Sequence, residues 1–269
     1  MTPSVPAVIT AGGRISGEFS SATGTAIKAT VTIEGRLMVE RVLDALRESG
    51  RVAEPVIVVG PREALKAALT LPDEGGKNGG DVRLIDEGAT GPENMVRGLS
   101  AIPESGAQGW ALLCTCDVPF LTGESISWLL DNAPEDADIV FPIVTREEYE
   151  AAFPGTPGTY APVERKQYTG GSVLLVRPSV IFQNKALIER IFAARKDIIS
   201  MARLGGFGLL WRLFTGTLTV EYVEARASRL TGCRCRALRN APPSLAADVD
   251  TMEDYRYACG HIAGQGARA

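Results

Sequence analysis

Small and basic residues follow the first apolar run of this sequence in a pattern that suits phosphate binding. The run PAVIT leads into Ala11-Gly12-Gly13, and a lone Lys28 stands fifteen residues after Gly13, among small residues. Glycines at such a point let the backbone approach a ligand closely and leave amides for phosphate oxygens. A plain turn explains a glycine pair equally well. Neither G-K-[ST] nor G-x-G-x-x-G is present here, which excludes a P-loop and the dinucleotide fingerprint.

Two other apolar runs end in acidic residues. VRLID leads into Glu87-Gly88, and GWALLCTC leads into Asp117. Ligands of open α/β sheets bind beyond the carboxyl ends of the strands. Because three predicted strands carry polar residues or glycines at that end, the sequence predicts one shared ligand site there.

The elements that must position these residues alternate between strands and helices. The predicted strands are PAVIT, PVIVVG, VRLIDEG and GWALLCTCDVPFL, and the helical stretches between them are MVERVLDALRESG, PREALKAAL and PENMVRGLSAI. This alternation predicts a three-layer α/β/α fold around a mixed, mostly parallel sheet.

The pattern is looser in the second half of the chain. We expect strands in DIVFPIV and YTGGSVLLVRP, helices in the region 179–218 and in VEYVEARASRL, a strand and loop in ALRNAPPSLAADVD, and a closing helix in TMEDYRYACGHIAG. No repeat or linker separates these parts. The sequence therefore predicts a single domain over residues 1–269, with a more helical, acceptor-side elaboration at about 150–240.

The overall composition is typical of a soluble globular protein and argues against several functional classes. The chain has 45% apolar and 22% charged residues and a net charge of −4, which does not suggest a nucleic-acid binder. The first residues do not resemble a signal peptide, and no apolar run reaches the roughly 20 residues of a spanning helix. We therefore expect a cytoplasmic protein without a transmembrane segment; the sequence leaves homo-oligomerisation open.

The cysteines and the single histidine limit the kinds of metal site and disulfide that the protein can contain. The five cysteines, an odd number, predict free thiols, and the C-x-C pair Cys114/Cys116 lies in an apolar strand where burial is the simpler explanation. His261 is the only histidine, which excludes a multi-histidine zinc site.

Three motifs in order resemble the MobA-like nucleotidyltransferases, a family with a GT-A-type fold related to the nucleotide-diphospho-sugar transferases. VITAGG, with a lysine and then TIEGRLMVERVLDAL, resembles the family's opening. CDVPFLT at 116–122 looks like its D-x-P-[FL]-[LI] motif, and ADVDTMEDY at 247–255 is similar to its closing D-[IV]-[DN]-T-P-E-D-[LY] motif. The resemblance spans residues 7 to 255.

The resemblance implies a role for each matching residue. Asp117 and Asp250 would hold Mg²⁺, with Asp248 supporting the structure or a second ion, because magnesium prefers carboxylate oxygens and retains several waters. Lys28 would contact the phosphates, which Ala11, Gly12, Gly13 and Arg14 would cradle. Simpler explanations are a helix N-cap for Asp117 and capping of the TMEDY helix for Asp248 and Asp250.

Two further segments resemble the nucleotide and acceptor sites of the family. Gly88, Gly91 and Asn94 match a turn and helix that contact base and ribose, and Arg97 matches a position that reaches the phosphates. A plain capped helix explains these residues almost as well. In YTGGSVLLVRP, the residues that would line an acceptor pocket are Thr169, Gly170, Gly171 and Ser172.

The implied activity is Mg²⁺-dependent transfer of NMP from an NTP, GTP or CTP, to a phosphate or hydroxyl of a small-molecule acceptor, with release of pyrophosphate. The loop after Gly13 departs from the family's pattern, since Arg14 follows at once and no R-M-G precedes Lys28. This departure keeps a catalytically degenerate nucleotide-binding or regulatory protein as one alternative. A sugar-nucleotide-dependent glycosyltransferase of the same fold is the other, although it normally has D-x-D at the position of CDVP.

The apolar segment RLGGFGLLWRLFTGTL at 203–218 lies outside these motifs. It fits a buried helix packed on the core, a lid or wall for an apolar acceptor, or a dimer or membrane-surface patch.

Overall fold

A computed structural model describes residues 4–69, 81–103, 109–156, 158–194 and 206–266. Their strands are β1 Val5–Thr10, β2 Thr32–Ile33, β3 Arg36–Leu37, β4 Val52–Gly60, β5 Val82–Asp86, β6 Ala111–Thr115, β7 Ile139–Thr145, β8 Ala161–Val163, β9 Lys166–Gly170, β10 Val173–Val176 and β11 Cys235–Leu238. Within these ranges β2 and β3 form a small hairpin, and the other strands form one sheet.

The large sheet has the order β5-β4-β1-β6-β10-β7-β9-β8, with β11 beside β7. Strands β5, β4, β1 and β6 are parallel, whereas β10 and β9 run opposite to their neighbours. The sheet is therefore mixed and mostly parallel, as the sequence predicts. Parallel neighbours bring the ends of β1, β5 and β6 to one edge, where ligands of such sheets bind.

Helices flank this sheet. They are α1 Gly17–Thr23, α2 Met38–Glu48, α3 Arg62–Ala68, α4 Gly91–Ser100, α5 Gly123–Asn132, α6 Arg146–Ala152, α7 Pro178–Gln183, α8 Lys185–Ala194, α9 Phe207–Phe214, α10 Val220–Thr231 and α11 Met252–Gly266. Two 3₁₀ turns cover Lys28–Thr30 and Pro243–Leu245.

The core lies on both faces of the central strands. Strand β1 is buried on both sides because its alternate side chains enter two different apolar clusters. Ala7 and Ile9 belong to one cluster, and Val8 belongs to the other. Helix α2 buries Val39, Val42, Leu43 and Leu46, the apolar stripe predicted from their spacing. This packing fixes the end of β1, from which the glycine loop extends.

Several elements differ from the predictions. YTGGSVLLVRP forms two strands, β9 and β10, because the chain breaks its pairing at Gly171-Ser172, where the Gly171 amide donates to the Pro142 carbonyl at 2.8 Å. The loop after Gly13 contains a short helix, α1, and helices α5 and α6 were not predicted. The predicted helical region 179–218 divides into α7, α8 and α9, and part of it lies outside the described residues.

The apolar segment at 203–218 is not simply a buried helix. Within α9 the side chains of Trp211 and Phe214 are 61% and 83% exposed, while Leu209 and Leu213 pack on a small cluster around Val220. Residues 203–205 lie outside the described residues. None of the described helices is long and apolar enough to cross a membrane.

Cys114 and Cys116 are buried and unpaired, as predicted for small apolar residues in a strand. Burial raises the pKa of the Cys114 thiol to about 12, so this thiol stays protonated at neutral pH. His261 packs among aromatic rings, with Phe120 and Phe153 nearby.

Candidate active site

A buried lysine joins two aspartates from distant parts of the chain. The Lys28 ammonium forms ion pairs with both Asp117, which follows β6, and Asp250, which precedes α11. The side chains of Lys28 and Asp117 are only 8% and 14% exposed, whereas that of Asp250 is 69% exposed. Burial lowers the pKa of Lys28, but the two carboxylates outweigh it and the net effect is a raised pKa. Lys28 is therefore a fixed positive charge.

Backbone contacts bring the second and third motifs together. The Val249 amide donates a 2.9 Å hydrogen bond to the Asp117 carbonyl, and Val249 is fully buried. Side chains alternate along an extended segment, so burying Val249 turns its neighbours Asp248 and Asp250 outward, toward the cavities described below. This anchoring is why residues more than 130 positions apart share one site.

The local capping explanations for the aspartates do not describe the structure. Helix α5 is capped by Thr122, whose hydroxyl accepts from the Ser125 amide. At α11, Thr251 and Asp254 cap the helix reciprocally, since the Thr251 hydroxyl accepts from the Asp254 amide and the Asp254 carboxylate accepts from the Thr251 amide. Asp117, Asp248 and Asp250 are therefore not needed as caps of these helices.

Asp248 stands beside this centre without an ion pair among the described residues. Its carboxylate accepts from the Ser172 hydroxyl at 3.4 Å, a long contact. Burial, followed by the charges of Asp117 and Asp250, raises the pKa of Asp248 to about 7. The three carboxylates thus form an electronegative centre that a single lysine only partly neutralises.

The loop after β1 packs closely against other side chains at Gly12. A Cβ at Gly12 would lie 2.5 Å from Asn94 Nδ2 and 2.8 Å from Glu87 Oε2. The Gly13 carbonyl accepts from the Lys28 amide at 3.0 Å, which ties the loop to the lysine. Ala11 is buried, and its amide bonds the Val59 carbonyl at 2.7 Å, so it positions the loop from within the core.

The turn after β5 is held by Asn94 from α4. Asn94 Oδ1 accepts from the Gly88 amide at 2.6 Å, and the side chain is buried. The helix itself is capped by Thr90, whose hydroxyl accepts from the Glu93 amide. The structure therefore contains the capped helix that the sequence indicates, and contact of this turn with base and ribose stays a prediction.

The two predicted arginines have different positions. Arg14 pairs with Glu87 and donates to the Gly12 carbonyl at 2.8 Å, at the rim of the site. Arg97 pairs with Glu93 and donates to the carbonyls of Asp86 and Glu87, both at 3.2 Å. It is not among the described residues that line the cavity, because these contacts hold it behind the turn.

One cavity of about 430 Å³ joins these parts. Its described lining includes the glycine loop, the turn after β5, the lysine–aspartate centre and Phe192 from α8; the predicted residues in it are Gly12, Gly13, Arg14, Lys28, Gly88, Gly91, Asn94, Asp117, Ser172, Asp248 and Asp250.

A second cavity, of about 640 Å³, lies on the other side of Asp248 and Asp250, which line both. Thr169 and Gly170 line this one. Gly171 is among the described lining residues of neither cavity, because it packs against Pro142 and the Leu245 carbonyl. The four residues predicted as one acceptor wall are therefore divided, since Ser172 lines the first cavity, Thr169 and Gly170 line the second, and Gly171 lines neither.

Sequence reasoning missed several lining residues. Thr115, Met95 and Phe192 line the first cavity, and Tyr149 and Tyr160 line the second. Thr115 is the last residue of β6, two residues before Asp117, so alternation along the predicted strand GWALLCTCDVPFL indicates its side of the sheet. Phe192 and the tyrosines carry no sequence signal, because only packing between distant helices and strands brings them to the site.

A comparison with models of protein families shows which family the sequence belongs to. Residues 7–197 match the MobA-like NTP transferase domain. The chain belongs to this family. The motif around Asp250 lies beyond the matched residues, and the structure joins it to them through Lys28 and Asp117. As a member of the family, the chain is a transferase enzyme of the nucleotidyltransferase type.

Solved structures show the same fold. A hypothetical transferase from Thermus thermophilus is 35% identical, with 95% of this chain and 100% of that chain covered and a TM-score of 0.77. The 4-diphosphocytidyl-2C-methyl-D-erythritol synthase of Anaerococcus prevotii is 13% identical, with coverage of 98% and 100% and a TM-score of 0.57. A nucleotidyl transferase from Methanothermobacter thermautotrophicus is 17% identical, with coverage of 97% and 99% and a TM-score of 0.58. Among curated proteins, no sequence matched significantly.

Proposed function

We propose that this nucleotidyltransferase transfers NMP from an NTP, GTP or CTP, to a phosphate or hydroxyl of a small-molecule acceptor and releases pyrophosphate with the help of Mg²⁺. The observation that carries the proposal is the convergence of Lys28, Asp117 and Asp250 at the point where two cavities meet. Two substrates must meet at such a point for a direct transfer.

The residues at this centre fit a magnesium ion. The Asp117 Oδ1 atom is buried and has no hydrogen-bond partner among the described residues, so a carboxylate oxygen is left for a cation. No group of three or more His, Cys, Asp or Glu side chains in the described ranges is arranged to hold a metal ion. Magnesium does not need such a group, because it keeps waters and binds substrate phosphates beside one or two carboxylates. Asp117 and Asp250 are the proposed ligands, and Asp248 supports them.

The chain's own groups account for donor binding. When bound, the metal supplies positive charge to the phosphates. The glycine loop brings backbone amides to the triphosphate, and Lys28 exchanges a carboxylate partner for a phosphate oxygen as the NTP enters. The acceptor oxygen forms a bond to the α-phosphorus, the bond between that phosphorus and the α,β-bridging oxygen breaks, and pyrophosphate leaves. A phosphate acceptor is already ionised at neutral pH and needs no general base.

The second cavity is the proposed acceptor site. It shares Asp248 and Asp250 with the donor cavity, and β9 contributes Thr169 and Gly170 to its wall. Tyr149 and Tyr160, with ring centroids 6.2 Å apart, add aromatic surface. An acceptor held there has direct access to the centre.

The proposal is tested first by thermal-shift measurements with each of the four NTPs and Mg²⁺, and then by pyrophosphate release from the best NTP with candidate acceptors. Asp117→Asn is expected to lower the rate by about 10²- to 10³-fold, the usual effect of removing one electrostatic contact from a charged transition state. Asp136→Asn is the matched control, because Asp136 is 55% exposed in a surface pair with Arg236. An Asp117→Asn variant as active as the wild type contradicts the assignment, and NTP binding without pyrophosphate release with any acceptor favours a degenerate nucleotide binder.

A further inference from the structure

The order of the strands determines which parts of the donor cavity lie at its two ends. Asp117 follows β6 and Gly88 follows β5, and the order β5-β4-β1-β6 places three interstrand steps between them. At about 4.8 Å per step, the two ends of the cavity are about 14 Å apart. This inference rests on the proposed function. If the triphosphate lies at the lysine–aspartate centre, the nucleobase must point toward the β5 end.

Helix α8 closes the cavity at the β5 end. Thr90 donates to Glu189 at 2.8 Å, which ties α8 to the start of α4. Ile188 packs on the core cluster beneath the sheet, and Phe192 is one helical turn further along the same face of α8. This places the Phe192 ring beyond the packed core, in the lining of the donor cavity.

The ring lies directly on Gly91. A Cβ at Gly91 would overlap Phe192 Cζ, so the ring and the start of α4 are in contact without an intervening side chain. Among the described residues that line this cavity, Phe192 is the one aromatic side chain. An aromatic face at the base end of a nucleotide cavity offers every nucleobase a stacking surface.

We propose that Phe192 is a nucleotide-binding residue whose ring stacks against the base of the NTP. It strengthens binding of the nucleoside end, and because every base has a π-face, it contributes more to affinity than to the choice among bases. Helix α8 is thereby part of the donor site, although its sequence contains no motif that predicts contact with a ligand.

The test compares NTP with inorganic tripolyphosphate, which carries the same phosphates without a base, by calorimetry in the presence of Mg²⁺. Phe192→Leu is expected to weaken NTP binding by about 5- to 150-fold, the range that corresponds to loss of one base–aromatic contact. Tripolyphosphate affinity should stay unchanged, and Phe192→Tyr should restore NTP affinity. Phe182→Leu is the matched control, because Phe182 lies in neighbouring α7, packs on the core and is outside the described lining.

The possible outcomes distinguish base stacking by Phe192 from the proposed nucleotidyl transfer. Unchanged NTP affinity in Phe192→Leu, or equal loss of NTP and tripolyphosphate, overturns the stacking role. If the selective loss occurs but the wild type releases no pyrophosphate with any acceptor, stacking stands and the proposed transfer fails. A wild-type protein that binds no NTP overturns both.

Discussion

At the scale of single residues, Lys28 is the side chain on which the site depends. Its ammonium is buried between carboxylates that would otherwise repel each other, so it stabilises the fold. Removing one partner of a buried ion pair leaves an uncompensated charge, which is costly in a low-dielectric interior.

Lys28→Met is therefore expected to lower the free energy of unfolding by about 3 to 5 kcal/mol at neutral pH without metal. Added Mg²⁺ should recover part of this loss and should stabilise the variant more than the wild type, because the ion replaces the missing positive charge. Urea unfolding with and without Mg²⁺ measures both effects.

Lys66→Met serves as the control for this experiment. Lys66 is exposed on α3, and surface substitutions of this kind change stability by no more than about 0.5 kcal/mol. Equal stability of Lys28→Met and Lys66→Met would show that the buried ammonium does not hold the carboxylates together.

At the scale of elements, the turn between β8 and β9 is fixed by one carboxylate. Glu164 and Arg165 have positive φ angles of 54° and 62°, and Glu164 binds both terminal nitrogens of Arg239 at 2.6 and 2.7 Å. The same carboxylate accepts from the Val220 amide at 3.0 Å, at the start of α10. This contact joins the hairpin that carries Thr169 and Gly170 to the rest of the second half.

The contact should make stability depend on acid pH. Hydrogen bonds from Arg239, opposed by partial burial and aided by the Val220 amide, lower the pKa of Glu164 from 4.5 to about 2. A lowered carboxyl pKa means that the stabilisation is present above pH 4.5 and is lost as the pH falls toward 2. Glu164→Gln should cost about 1 to 3 kcal/mol at pH 7, and its difference from the wild type should shrink below pH 4.5, as measured by urea unfolding across this range.

The matched control is Glu150→Gln, which breaks the exposed Arg146–Glu150 pair on α6. Exposed pairs contribute little to stability, so this variant should unfold like the wild type at each pH. A stability difference for Glu164→Gln that stays constant from pH 7 to pH 2 would contradict the titration of this carboxylate.

At the scale of the whole molecule, the site is assembled from segments that are far apart in the sequence. The loop after β1, the end of β6 and the start of α11 meet through Lys28 and through the bond between the Val249 amide and the Asp117 carbonyl. A ligand at the proposed centre is therefore expected to contact all three segments together, and its binding energy should add to the stability of the whole fold.

Amide hydrogen exchange should show this coupling. With saturating NTP and Mg²⁺, we expect slower exchange in residues 11–30, 115–118 and 247–252 together, because opening any one segment breaks the same ligand contacts. Tripolyphosphate with Mg²⁺ should protect these three segments but leave α8 unchanged, whereas NTP should protect α8 as well. Protection confined to the glycine loop would show that the ligand does not join the segments.

Some features of the structure are predictable from the sequence, and others are not. The strand–helix alternation of the first half and the apolar stripe of α2 are local patterns, and the structure contains both. YTGGSVLLVRP predicts one strand, whereas the structure has two, because the break at Gly171 depends on packing against Pro142 in another strand. The resemblance implies that Arg97 reaches the phosphates, and only the structure shows that it pairs with Glu93 and donates to carbonyls of β5 and of the turn that follows it.

The sequence by itself determined the class of fold and the family, because hydrophobic periodicity and short motifs are written in neighbouring residues. The tertiary structure decided which charges face each other, since ion pairs such as Lys28–Asp117 depend on distances between strands and loops that no local pattern encodes. It also decided that Phe192 reaches the glycine-rich turn, that Gly171 packs against Pro142, and that two cavities meet at Asp248 and Asp250. These features follow from the packing of helices on the sheet, which is a property of the whole chain.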